Sequence, residues 1–329
     1  MILLLALACA SGPKAEVKPA EPSAEVAPAA ARVALVGAVS GGLVRLEVDS
    51  AGGTLSGTLT RMDGVAQPVA GRVQGELWSM TVGEAQLEGR WDGRRLVGAL
   101  GQSAVVLGDG VDPAVWAAKA ETWRRPDTSI KPDPEIPVSL PVVWVADPAA
   151  NAAIAALLTP EALLGDPRAQ IEADGWVDGV AFEVGFQKAG LLSLSVAEEG
   201  SAAYPDGVVI ERVIDLQTGA RIGADAWDPA QQAALISRLD RTLQASIATT
   251  KAEAVSFGED APDPGIYEGH AVKVETLADF GLRPEGVLFH YHFGFPHAIL
   301  AAEPDGDLLL PWSEVGAYAK ADCALRRGI

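Results

Sequence analysis

Between residues 32 and 110, apolar and polar positions alternate with a period of two. Val44, Leu46 and Val48 form one such run, Leu55 and Leu59 flank Gly57 in a second, and Val69 and Val73 flank Gly71 in a third. Period two is the repeat of a strand with one face buried. Glycine-bearing breaks at Ala51-Gly52-Gly53, Met62-Asp63-Gly64 and Asp92-Gly93 supply the residues that tight reversals need. The pattern predicts a small all-β meander or open barrel over 32–110.

A different rhythm follows. Asp112-Pro113 has the form of an N-cap with proline at the first helical position, and Trp116, Ala120 and Trp123 fall on one helical stripe. The expectation over 111–141 is a helix and then a proline-rich connector, Pro126 to Pro141, that holds the domain boundary. From 142 to 329 helices and strands mix. Val142 to Val145 reads as a strand, and Asp147-Pro148 caps a helix bearing Ile154, Leu157 and Leu158. Phe182, Val184 and Phe186 alternate on a further strand, followed by strands at 191–196 and 208–216 and a turn at Gln217-Thr218-Gly219. Asp228-Pro229 opens a helix whose buried face is Ile236, Leu239, Leu243 and Ile247. Strands near 277–282, 287–293 and 308–310 and a short helix capped by Ser313 complete the domain. The whole is α+β: a β meander or barrel, then a mixed α/β domain.

The first residues change the picture. Met1 to Ala8 are wholly apolar and end at Cys9, and no later run has membrane-spanning length. Leu5 to Cys9 resembles the lipobox of bacterial lipoproteins, in which the cysteine sulfur takes a diacylglycerol; here Ala6 and Leu7 stand in reversed order. Residues 1–9 are thus read as a lipoprotein-type signal with Cys9 as the lipidation site. Residues 10–31 are mostly Pro, Ala, Glu, Lys and Ser, a composition that buries too little to offset the entropy of ordering. That segment reads as a tether, and the whole as a lipid-anchored protein of the cell envelope, facing the periplasm or exterior. The other cysteine, Cys323, has no partner if Cys9 is acylated.

Charge divides unevenly. Residues 32–110 carry seven Arg against eight acidic residues, whereas 111–329 carry sixteen Lys or Arg against thirty-three acids, a net of −17 out of −19 for the chain. Phosphate binding needs a basic face, so no nucleic-acid partner is expected; simple solubility accounts for the acidity by itself, and cationic proteins, peptides or metal ions are the partners it would suit.

Leu192 to Val196, Val213-Ile214-Asp215-Leu216-Gln217-Thr218-Gly219, Gly286 to His292 and Leu308 to Trp312 together resemble, in order and spacing, a bacterial domain family of unknown function. That family includes the extracellular domain of RsiV-type anti-sigma factors, which bind lysozyme, and the non-catalytic part of PdaC-type peptidoglycan deacetylases. The resemblance covers Val142 to Lys320 and implies a binding domain with no attached enzyme, for a lysozyme-like cationic protein or a peptidoglycan fragment. Tyr204, in Ser201-Ala202-Ala203-Tyr204-Pro205, stands where the family has a histidine, and becomes the ligand-binding candidate.

Local chemistry is sparse. No His-Glu-x-x-His, Gly-x-Ser-x-Gly, phosphate-binding or Rossmann pattern occurs, and no cofactor is called for. Ser193 and Ser195 lie on an apolar strand, where a nucleophile would need a base from elsewhere. Glu198-Glu199 reads as a solvated turn. His290-Tyr291-His292, with His297 close behind, admits two readings. In the first, Phe289, Tyr291 and Phe293 face the core and the histidines the wetter side. In the second, His290 and His292, completed by His297 or by an acid such as Asp305 or Asp307, hold zinc for a metal-dependent hydrolase. The first reading leaves a non-enzymatic binding module.

Overall fold

A computed structural model describes residues 31–39, 42–125, 135–165, 177–201, 205–255, 263–295 and 297–329. The period-two region forms eight antiparallel strands: β1 (Ala31–Val39), β2 (Gly42–Ala51), β3 (Thr54–Arg61), β4 (Ala66–Gln74), β5 (Leu77–Val82), β6 (Ala85–Trp91), β7 (Leu96–Leu100) and β8 (Ser103–Gly108). Each pairs with the next, and β8 returns to β1 through Val36↔Gly108 and Ala38↔Val106, closing a barrel. Closure removes the unpaired edges that an open meander would expose. Leu46, Leu55, Leu59, Met80, Leu87, Leu96 and Leu107 fill the interior with almost no exposure. Strand glycines let so small a barrel curl: a Cβ on Gly57 would lie 1.9 Å from the Glu47 carbonyl oxygen, and one on Gly98 1.9 Å from that of Glu88.

The expected helix after Asp112-Pro113 is a strand instead. β9 (Val115–Arg124) pairs antiparallel along its whole length with β10 (Glu135–Trp144), from Glu135↔Arg124 to Trp144↔Val115. Only three residues supported the helical stripe, and Val115, Trp116, Thr122 and Trp123 suit a pleated surface as well. The ten-residue ladder offered by β10 decides the matter. It also takes up the end of the supposed connector, since Pro137 and Pro141 lie within β10.

β10 leads into α1 (Pro148–Leu157), where Asp147 Oδ1 accepts from Ala150 N at 2.8 Å as the cap pattern predicts, and α2 (Pro160–Leu164). Then come β11 (Val177–Lys188), parallel to β10 at Val138↔Val180, and antiparallel β12 (Leu191–Ser201), β13 (Pro205–Asp215) and β14 (Arg221–Ile222). The sheet order is β14-β13-β12-β11-β10-β9. Glu198, read as part of a solvated turn, lies within β12 and is 3% exposed; burial pushes its carboxyl pKa up.

The two faces of this sheet meet different partners. Leu192, Leu194, Val196 and Ile214 join Ile154, Leu163 and Leu164 of the short helices. Leu191 and Val213 face a second core built on α3 (Gln232–Ala254), β15 (Phe280–Arg283), β16 (Gly286–His290), β17 (Asp307–Pro311) and α4 (Trp312–Val315). α3 begins at Gln232, after a turn in which Asp228 Oδ1 accepts from Ala230 N, and buries Leu235, Leu239, Leu243 and Ile247. Pro311, not Ser313, occupies the cap of α4. The architecture is α+β, an antiparallel barrel followed by a mixed sheet with helices.

Barrel and second domain meet at Arg45, whose guanidinium donates to the Val145 and Ala146 carbonyls at 3.2 and 2.9 Å.

Gly57→Ala should destabilise the protein by about 1–3 kcal/mol, the usual cost of overpacking. Gly42→Ala, where the nearest atom to an added Cβ is 3.7 Å away, should stay within about 0.5 kcal/mol of the parent. Urea unfolding of both variants checks the pair; equal stability would show that the strands separate freely at Gly57.

Candidate functional site

β12 and β13 turn Ser193, Ser195 and Glu211 toward the C-terminal layer, because these residues share a face with Leu191 and Val213. β15 lies directly above. Ser193 Oγ accepts from Leu282 N at 2.8 Å, joining the two sheets through a fully buried hydroxyl. One step along, the Glu211 carboxylate is completely buried. Its Oε1 accepts from Ser195 Oγ at 2.8 Å, Arg283 Nη2 at 2.6 Å and His290 Nε2 at 3.2 Å. Arg283 Nη2 also donates to Ser195 Oγ at 3.1 Å, and Nη1 to the Leu282 carbonyl at 3.0 Å.

His290 ends β16, and its other nitrogen, Nδ1, reaches Asp307 Oδ1 at 2.8 Å on β17. With a carboxylate at each nitrogen, both must donate, so the ring is an imidazolium. Hydrogen bonds to Asp307 and then Glu211 raise its pKa to about 9 against the opposing effect of burial. Burial would raise Glu211, but hydrogen bonds from His290, Arg283 and Ser195 outweigh it and hold the carboxyl below its ordinary value. The His290 hydrogen bond likewise lowers Asp307. The cluster contains two cations and two anions, and each is satisfied by another member.

The sequence singled out some of these residues and missed others. His290 is largely buried, its side chain 17% exposed between the two sheets, at the edge of the open depression that His292 also borders. Phe289 and Phe293 are buried as expected. His292 is 72% exposed and binds Asp279 Oδ2 at 3.0 Å through Nε2, bordering an open depression of about 530 Å³ shared with Lys273, Glu275 and Tyr291. The His297 side chain, Tyr204 and Cys9 lie outside the described residues, so no placement brings His297 to the other two. Among the described residues no group of three His, Cys, Asp or Glu side chains is arranged to hold a metal ion. Ser193 and Ser195 were singled out as serines on an apolar strand, whereas Glu211 and Arg283 carried no sequence signal apart from the parity that puts Glu211 on the sheet face of Ser195.

Asp215, Thr218 and Gly219 form a structural corner. Asp215 accepts from Gln217 N at 3.0 Å and Thr218 Oγ1 at 3.0 Å and pairs with Arg327. A Cβ on Gly219 would meet the Ala150 carbonyl oxygen at 2.5 Å.

A closed β-barrel followed by an α+β domain whose mixed sheet is covered on both faces is thus the class of this chain. No protein-family model and no curated protein matches the sequence. Among solved structures, the chain is similar to a DUF3298 family protein from Pseudomonas aeruginosa PAO1, at 15% identity and a TM-score of 0.41, over 65% of this chain and 97% of that one. It is also similar to a member of the DUF3298 family from Bacteroides fragilis, at 14% identity and a TM-score of 0.40, over 65% of this chain and 95% of that one.

His290 gives the site a pH signature. Its raised pKa contributes stability that is complete below about pH 6.5, its unfolded value, and is lost as pH rises toward about 9. The difference amounts to about 3 kcal/mol. The lowered carboxyls Glu211 and Asp307 contribute in the opposite sense, above their unfolded values, and lose it in acid. Urea unfolding from pH 6 to 9 should show the alkaline loss in the parent and its absence in His290→Gln. A parent whose stability is flat over that range would contradict the ion network.

Proposed function

We propose that this protein is a lipid-anchored envelope protein whose second domain is a non-enzymatic binding module for a cationic envelope protein, in the manner of the RsiV-type domains it resembles. The observation that carries the non-enzymatic part is the closed hydrogen-bond circuit around Glu211. A general base must be free to take a proton, whereas His290 already donates from both nitrogens. Ser195 donates to Glu211 and accepts from Arg283, and hydrogen bonds from His290 and Arg283 hold that carboxyl below its ordinary pKa, which makes it a poor base for activating the hydroxyl.

The metal-dependent hydrolase reading has less support. His290 is enclosed between Asp307 and Glu211 while His292 is 72% exposed on the surface, and among the described residues no three His, Cys, Asp or Glu side chains gather to hold a metal ion.

Partner choice rests on charge. With net −17 in residues 111–329, the domain attracts cations over a distance set by the Debye length, about 8 Å at physiological salt. Acidity steers encounter, and a packed centre must supply selectivity. Tyr204 is our candidate for that centre. Anchoring rests on Cys9, which ends the lipobox-like segment from Leu5 behind a wholly apolar run.

Biosensor titration of the full chain against lysozyme should give an on-rate that falls about tenfold between low and moderate salt, with a salt-resistant remainder weakened about tenfold by Tyr204→Ala. No binding at low salt, or binding that salt abolishes and Tyr204→Ala leaves unchanged, defeats the partner assignment. Separately, Cys9→Ala should abolish palmitate labelling and move the protein from the membrane to the soluble fraction; persistent labelling would exclude Cys9 as the anchor.

A further inference from the structure

One carboxylate of the second domain is buried and unanswered. Glu198 on β12 is 3% exposed, and among the described residues its Oε1 has no hydrogen-bond partner. At Glu211, two strands of the same sheet and one further layer supply three donors to a carboxylate equally buried; at Glu198 burial acts alone and raises the pKa. An unpaired buried carboxyl is costly to keep.

Register places Glu198 one strand in from an open edge. It stands opposite Val180 on β11 and Val208 on β13, and parity puts the three on the sheet face of Leu194 and Val196, where α1 and α2 also pack. α2 is fastened to the sheet at Arg212, which donates to the Ala162 and Leu163 carbonyls at 3.0 and 3.1 Å, four residues along β13 from Val208. On its outer side β13 has a neighbour, β14, only at Val213 and Ile214. Arg212 Nη1 takes the Glu211 carbonyl at 2.9 Å. Among the described residues no strand pairs with the outer edge from Val208 to Ile210. Val208 and Val209 are 44% and 45% exposed, and the stretch from Gly207 to Ile210 has none of the lysines or prolines that usually blunt an edge.

We infer that β13 takes up an extended segment of a partner protein as an added strand, and that a lysine or arginine of that segment, beside Val208, pairs with Glu198. The inference deepens the cationic-partner reading above and rests on it for the class of partner. A strand added here lies one spacing from β13 and two from β12. Its residue beside Val208 is therefore about 9–10 Å from Glu198 across the face, a gap that a long basic side chain and a glutamate close between them. Main-chain hydrogen bonds attach the segment whatever its sequence, and the ion pair selects among segments. A second copy of β13 does not meet the requirement, because Gly207 to Ile210 contains no basic residue. With thirty-three acids against sixteen cations in residues 111–329, the domain's field draws basic segments toward it.

The test uses the full chain, the backbone amide resonances of Val208, Val209 and Ile210, and two blocked peptides in which threonine and valine alternate around a central arginine or a central glutamine. Both peptides should shift the edge amides, and the arginine peptide should bind the parent about tenfold more tightly. Glu198→Gln should keep the folded spectrum and bind the two peptides equally. Val208→Lys, at an exposed position opposite Glu198, supplies the missing cation from within and should also erase the preference. Absent shifts at the edge overturn the proposal, as does equal affinity of the parent for both peptides. So does an arginine preference that survives both substitutions, and so do edge shifts that follow protein concentration without peptide, which would mean a second copy. Lysozyme that binds without moving the Val208 and Val209 resonances removes this site and leaves the cationic-partner reading standing. An arginine preference that depends on Glu198, in a protein that lysozyme does not bind, supports the site and removes lysozyme as the partner.

Discussion

A carboxylate with no exposure to water, Glu211, sets the terms on which the second domain holds together. Removing such a charge from solvent costs several kcal/mol unless charge-assisted hydrogen bonds replace the lost hydration. The replacements come from three different strands, with Ser195 on β12, Arg283 on β15 and His290 on β16. The apolar contacts between the layers are non-directional and would tolerate small slips of β15 over the large sheet. The carboxylate would not, because sliding by one residue would bury it unpaired. Apolar burial supplies most of the cohesion, while the ion cluster and the Ser193–Leu282 hydrogen bond fix the register.

The two halves solve the problem of strand edges in different ways. The barrel closes on itself, and every strand pairing apart from the β1–β8 seam joins neighbours in sequence. The larger sheet stays open and covers its faces unequally, with α1 and α2 on one side and a layer assembled from the last hundred residues on the other. That unequal cover leaves an aromatic groove beside β9, while the charges of the Glu211 cluster are matched among themselves.

Much of this was legible in the sequence where the signal is local. Alternation and glycine turns gave the meander, Asp147-Pro148 gave the start of α1, and the stripe through Leu239, Leu243 and Ile247 gave the buried face of α3. Non-local features were not legible. The β1–β8 seam joins residues about seventy apart, and nothing in either strand advertises it. β9 was misread because Trp116, Ala120 and Trp123 satisfy a helical stripe when taken alone, and only the partner strand β10 breaks the tie. Glu198 looked like surface from its neighbour Glu199, yet parity within β12 turns it inward. His290 was conspicuous by type, but its role depends on Glu211, which lies 79 residues earlier.

The seam also determines how the molecule bears load. The chain enters the barrel at Ala31 and leaves it at Gly108, and β1 and β8 are antiparallel neighbours with Gly108 opposite Val36. Tension applied between the N-terminal segment and the second domain therefore pulls two adjacent strands apart from the same end. Such a pair parts one hydrogen bond after another instead of resisting through all of them together, and the rupture rate, not the equilibrium stability, governs its lifetime under force. In a stretched molecule the barrel is accordingly loaded at its seam in the unzipping direction, the weaker of the two ways to pull an antiparallel pair.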